Sequence, residues 1–212
     1  MNAQHRTGGS RGRPRDPEAD GAILRAALEL FIEGGVDGTS MEQVARRAGV
    51  GKLTVYRRWN DKVAMIAAAI EFAREQVAVP PSEDVSDVPA ADLIDRMLST
   101  IAEAVTQPQF RALIARVLGS SVSHPRLMAT YWEHDIAPRR RVLGELLERA
   151  KQEDVLAADA DADVVMDMLI GAMTYRLARP DPPDAAEMRD YLETAFRQVA
   201  TRRWDQVRGA PS

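Results

Sequence analysis

The 212-residue chain is predicted to be all-α, built from about nine helices. Three observations carry this. From Asp20 onward apolar residues return at helical spacing, as with Ile23, Ala27, Leu30 and Phe31 at i, i+4, i+7 and i+8. No strand-like alternation persists anywhere. Clusters of glycine, proline and aspartate cut the chain into pieces of helix length.

The elements follow in order. Residues 1–18 are rich in Gly, Arg, Pro and Ser, have no period, and are expected to form a disordered basic arm. A first helix starts near Asp20 and is stopped by the glycines of "EGGVDG". Thr39 or Ser40 then caps a second helix, whose apolar face is Met41, Val44, Ala45 and Ala48. Gly49 and Gly51 bracket a turn. A third, short helix runs from about Lys52 to Trp59, and Asp61 caps a fourth over about 62–79. "VPPSEDVSDVP" breaks the chain. Beyond it the candidate helices are 90–106, 108–120, 125–151 (with Pro138 inside), 162–178 and 184–207. No internal repeat is present.

Composition narrows the function. There is no cysteine, which excludes disulfides, thiolate metal sites and cysteine nucleophiles. No apolar run reaches the roughly 18 residues that span a membrane, and the first 20 residues lack an apolar signal core, so a cytoplasmic protein without membrane partners is expected. The net charge of −4 is unevenly spread. Residues 1–62 carry 11 Lys and Arg against 8 Asp and Glu, a net of +3, and the remainder carry 17 against 24, a net of −7. A basic head on an acidic body suggests that only the head meets a polyanion.

The head has the pattern for that. A helix, a tight glycine turn and a short second helix form a helix-turn-helix, whose second helix can enter the DNA major groove. With Val55 set inward on a wheel of 100° per residue, Trp59 points the same way, and Leu53 and Arg57 point to solvent. Thr54 and Tyr56 flank that outer face, and Lys52 lies in the first turn. Arginine and lysine match guanine O6 and N7, and an apolar side chain matches a thymine methyl. Arg58 adds to the basic set. Lys62, Thr39 and Ser40 sit at helix starts, where free N–H groups suit backbone phosphates.

The stretch "AALELFIEGGVDGTSMEQVARRAGVGKLTVYRRWNDKVAMI", residues 26–66, resembles the N-terminal domain of the tetracycline repressor (TetR) family over its whole length, without a gap. The carriers are the "A…LF…G" of the first helix, the "TS" start of the second, the "VA..AGV" core, and "T.Y..W..K". Two positions depart from the family pattern: Arg57 and Arg58 stand where an aromatic or small residue and a histidine are frequent. The resemblance implies a homodimeric transcriptional regulator, usually a repressor, that binds a palindromic operator in double-stranded DNA and is released by a small-molecule effector. It implies phosphate contacts for Tyr56 and Lys62 and groove contacts for Lys52, Leu53 and Arg57. Residues 19–66 would then be the DNA-binding domain and 67–212 the ligand-binding and dimerisation domain, bridged by helix 62–79. In the arm, "RGRPR" resembles the core of minor-groove AT-hook segments, so Arg11 and Arg13 are candidate DNA contacts.

In the body, "FRALIA", "APRRRVLGELLERA" and "DMLIGAMTYRL" resemble one C-terminal subgroup of the same family. That likeness implies that the last two long helices pack on a two-fold mate, with Met168, Gly171, Ala172, Tyr175, Leu192 and Phe196 at the interface. The same residues could instead close the chain's own core. Candidate pocket residues are Met97, Ile101, Phe110, Ile114, Met128, Trp132 and Met173, since methionine-rich walls suit varied apolar ligands. Tyr131, His134, Arg116 and Arg176 are polar candidates within these stretches.

Other signals are rejected. "DADAD" at 159–163 lacks the glycine and glutamate of a calcium loop and reads as a loop plus a helix cap. "GVGKLT" lacks the first glycine of a phosphate-binding loop. The histidines His5, His124 and His134 have no zinc spacing. No catalytic constellation, cofactor site or enzyme activity is expected. Two rivals remain: a DNA-binding regulator without an effector, and a helical carrier or enzyme whose basic head is only a charged surface.

Overall fold

The computed structural model describes residues 17–75, 85 and 87–208. The candidate arm residues Arg11 and Arg13, and the fourth helix beyond Glu75, lie outside that range. Among the described residues there are eleven α-helices and one π-helical turn. The sole β-type pairing among them is a bridge between Leu156 and Ala200.

The head is made by α1 (Pro17–Gly34), α2 (Met41–Arg47), α3 (Lys52–Tyr56) and the start of α4 (Lys62–Glu75). Gly35, at φ 67°, stops α1. Ser40 caps α2, its hydroxyl accepting from Gln43 N at 3.2 Å. The turn into α3 is a Schellman motif: Gly49 N bonds Arg46 O at 3.3 Å and Val50 N bonds Ala45 O at 3.0 Å. Gly49 is left-handed, at φ 68°. Gly49→Ala is therefore expected to cost about 1–2 kcal/mol, because a Cβ opposes this backbone conformation. A calorimetric Tm lower by roughly 2–8 °C would register it. An unchanged Tm would mean that the turn is set by something else.

A first core joins Ile23, Ala27 and Phe31 of α1, Val44 of α2, Val55 of α3, and Met65, Ile66 and Ile70 of α4. It also takes in residues of α6 (Pro108–Gly119) and α7 (Pro125–Tyr131), namely Leu113, Val117, Leu127 and Tyr131. A second core lies among α5 (Ala90–Val105), α8 (Ala137–Gln152), α9 (Ala162–Leu177), α10 (Ala185–Arg197) and α11 (Arg202–Arg208). Helix α6 serves both: Leu113 and Val117 enter the first core while Phe110 and Ile114 pack on the second. Asp161 caps α9 by accepting from Asp163 N and Val164 N, so "DADAD" is loop plus cap. A capping box of Asp184 and Glu187 opens α10.

Two expected helices are divided. The 125–151 stretch passes through a π-helical turn, Trp132–Ile136, before α8. Pro138 has no N–H to give the carbonyl one turn back and its ring crowds that carbonyl; the wider turn just ahead accommodates both. The 184–207 stretch breaks at 198–201, where Thr201 N bonds Val155 O at 2.9 Å and Ala157 N bonds Val199 O at 3.1 Å. The break lets Trp204 fold back edge-on to Phe196, with ring centroids 4.9 Å apart, both fully buried.

Candidate nucleic-acid interface

Helix α3 is seated by Val55, which has no exposure, and by the partly buried Trp59. Its other side is open. Leu53 is 70% exposed and Tyr56 is 46% exposed. Lys52 and Arg57 are exposed beside them and Thr54 is half-buried. The outer face derived from the helical wheel is therefore the outer face of the folded head.

Four other candidate side chains are turned to intramolecular work. Thr39 is 1% exposed and its hydroxyl donates to Gly35 O at 2.8 Å. The Ser40 hydroxyl is the α2 cap. Arg58 is half-buried, ion-paired to Asp20 of α1 and bonded to Thr54 O at 3.2 Å. It ties α3 to α1 and does not join the outer face. Lys62 donates to Val36 O at 2.9 Å, closing the loop between α1 and α2. What the two helix starts offer a phosphate is chiefly backbone N–H.

One residue of this face was missed: Glu42, in the first turn of α2. Its carboxylate accepts the Tyr56 hydroxyl at 2.6 Å. That bond, then a backbone bond and the Lys52 ammonium, hold the Glu42 carboxyl below the usual range, and the same carboxylate raises the Tyr56 phenol. Fourteen residues separate the pair, so no single-helix pattern reveals it.

The family is decided by comparison. The model for the tetR family of bacterial regulatory proteins matches residues 23–69, and that for a tetracyclin repressor-like C-terminal domain matches 89–195. The chain belongs to the TetR family. It is 31% identical, over 89% of its length and 93% of the relative's, to YdeS, an uncharacterised HTH-type transcriptional regulator of Bacillus subtilis. It is 28% identical, over 78% of its length and 85% of the relative's, to the DNA-binding transcriptional repressor TetR of Mycobacteroides abscessus. Its fold matches a TetR-family regulator from Rhodococcus at a TM-score of 0.73, with 18% identity, covering 88% of this chain and all of the other. The protein is thus a helix-turn-helix, DNA-binding transcriptional regulator.

Beside the apolar core that α6 and α7 share with the head, polar contacts tie the body to it. Arg116 of α6 donates to Ile32 O and Glu33 O, each at 2.7 Å, satisfying carbonyls at the end of α1. His124 Nε2 lies 3.2 Å from Asp37 in the loop between α1 and α2. Arg74 of α4 donates to the Tyr131 hydroxyl. Arg126 of α7 meets Asp61 at 2.6 Å, and Asp61 caps α4 by accepting from Ala64 N at 2.9 Å.

Asp61 is held below the usual carboxyl range, first by the Ala64 N–H and then by Arg126. A depressed folded-state pKa gives stability that is complete above the unfolded value, about 3.9, and is lost as pH falls through the folded one. Asp61→Ala should therefore cost about 0.5–2 kcal/mol at neutral pH, chiefly as a lost cap. Urea unfolding at pH 7 and at strongly acid pH would show the two proteins converging at low pH; a gap that persists in acid would refute the assignment.

The seven pocket candidates do not form one wall. Met97, Ile101, Phe110, Ile114 and Met173 are partly buried on the second core, while Met128 packs on the first. Trp132 is 51% exposed on the π-helical turn, under the Arg140 guanidinium. Two clefts lie instead at the junction of head and body. One, of about 240 Å³, is lined by Trp59, Ala64, Glu71, Tyr131 and His134, among others. The other, of about 230 Å³, is lined by Gly35, Asp37, Arg116 and His124, among others. Neither includes any of the seven.

The interface candidates also divide. Leu192 and Phe196 have exposures of 2% and 0% and fill the second core, a correction to their placement on a dimer face. The stripe of α10 is consumed by its own chain, against α5 and α9. Helix α9 is different. It buries Val165, Met166 and Leu177 inward, yet Val164, Met168, Gly171 and Tyr175 form an exposed row at i, i+4, i+7 and i+11. Ala172 is half-buried at the edge of the row. Tyr191 of α10 lies under the Arg176 guanidinium, 4.0 Å from its ring centroid.

Proposed function

We propose that this regulator is a homodimeric repressor. Each protomer lays α3 in the major groove of one half of a palindromic operator. A small-molecule effector in the helical body releases it. One observation carries the reading: Lys52, Leu53 and Arg57 stand exposed on a helix whose opposite side, Val55, is wholly buried. An exposed leucine between two cations suits a groove that presents thymine methyls beside guanine acceptors. Tyr56, Lys62 and the N–H groups that follow Thr39 and Ser40 serve the backbone. Arg11 and Arg13, outside the described residues, are further candidate DNA contacts.

Dimerisation is supported by α9. A helix apolar nearly all round belongs inside a core, and here a full stripe is left uncovered by the protomer. The small Gly171 and Ala172 permit close approach. The head is taken as residues 19–66 and the body as 67–212, with α4 bridging them.

Release is a population shift between two head spacings. Helix α6 contributes to both cores, and Arg116 and Arg126 grip the end of α1 and the start of α4. A ligand that moves α6 or α7 therefore moves the head. The repressor named TetR in Mycobacteroides abscessus supports the negative sign of regulation. The test is binding to random-sequence duplex at rising salt. Phosphate contacts release counterions, so log K should fall steeply with log salt. Salt-independent binding, or none at low salt, would overturn the reading.

A further inference from the structure

Tyr56 is offered to DNA, yet in the free protein its hydroxyl is already committed. The phenol has one proton to donate, and Glu42 Oε1 takes it at 2.6 Å. The two residues join the halves of the helix-turn-helix: Glu42 lies in the first turn of α2 and Tyr56 is the last residue of α3. A phosphate arriving at the Tyr56 hydroxyl must compete with a carboxylate for the same proton. It also approaches a fixed negative charge, the Glu42 carboxylate. Lys52 is drawn on by the same carboxylate.

We infer that Glu42 is a brake on phosphate-backbone binding, a residue that holds the Tyr56 hydroxyl away from DNA and opposes the contacts any duplex offers. It leaves the groove contacts of Lys52, Leu53 and Arg57 to decide where the protein stays. This rests on the DNA-reading role proposed above. It differs from a role in which Glu42 merely orients the Tyr56 ring, because the two roles move affinity in opposite directions.

The experiment measures duplex affinity against salt for the full chain, Glu42→Ala, Tyr56→Phe and the double variant. Glu42→Ala should tighten binding to random and to enriched duplex alike, by about 3–10-fold. On the Tyr56→Phe background most of that gain should vanish. Ultraviolet titration of the phenols, with Tyr56→Phe subtracted, should show the Tyr56 value returning toward the ordinary range in Glu42→Ala. That readout reports the bond without DNA. Weaker or unchanged binding by Glu42→Ala, or an equal gain with and without the Tyr56 hydroxyl, would overturn the brake while leaving the DNA-reading role intact. Failure of the full chain itself to bind duplex would instead remove that role.

Discussion

Met168→Glu is expected to leave the protein monomeric at micromolar concentration and to weaken operator binding by roughly 10²–10⁴-fold, the avidity lost when two linked half-sites become independent. Met168 stands at the centre of the exposed α9 row, flanked by Val164, Gly171 and Tyr175. Across a two-fold axis the substitution places two carboxylates in the same apolar seam, and neither finds a partner there. The protomer itself should be spared, because Met168 is 46% exposed within it and an added charge there remains in water. Sedimentation together with circular dichroism separates the cases. A folded monomer is the expected result. A folded dimer would move the interface elsewhere, and an unfolded chain would mean that α9 is needed inside the protomer. Phe196→Ala, by contrast, should act on the protomer alone, since Phe196 is fully buried against Trp204.

Arg57→Ala should cost about 1–3 kcal/mol per half-site and relax the base preference there, so a dimer loses roughly 30- to 10⁴-fold on its own operator. The neighbouring Arg58→Ala should behave differently. Arg57 is exposed, whereas Arg58 is paired to Asp20 and bonded to the Thr54 carbonyl. Removing Arg57 should leave thermal stability unchanged and strip specificity. Removing Arg58 should lower the stability of the head and weaken all duplexes together. Affinities for the operator and for a scrambled duplex, measured beside Tm for both variants, distinguish these outcomes. Equal effects of the two substitutions would contradict the division of labour.

Much of the fold was legible because it is local. The return of apolar residues every three to four positions marks each helix, and the turn between α2 and α3 is written in Gly49, which alone there adopts a left-handed backbone without strain. The exposed face of α3 was legible for the same reason: once Val55 faces inward, helix geometry forces Leu53 and Arg57 outward. What escaped depends on partners distant in sequence. The break between α10 and α11 has no glycine or proline to announce it, because residues 155–157, more than 40 positions earlier, impose it. The amphipathic stripe of α10 shows that something covers Leu192 and Phe196, and periodicity cannot say whether that is the same chain or another. Helix α9 carried the better dimer signal, being apolar on too many sides for one core, and Val164 belonged with Met168, Gly171 and Tyr175 on spacing alone. Thr39, Arg58, Lys62 and Glu42 are polar groups whose partners lie on other helices, so their engagement is visible only in the folded head.

Selection of bound fragments from random double-stranded DNA, with Arg57→Ala carried in parallel, tests the central claim most directly. The expected result is an enriched palindrome, its two halves about one helical turn or a multiple apart. Arg57→Ala should recover a relaxed version of the same site, degraded at matching positions in both halves. Fragments without sequence enrichment, or a single half-site untouched by the substitution, would contradict a dimeric reader that presents Lys52, Leu53 and Arg57 to the groove.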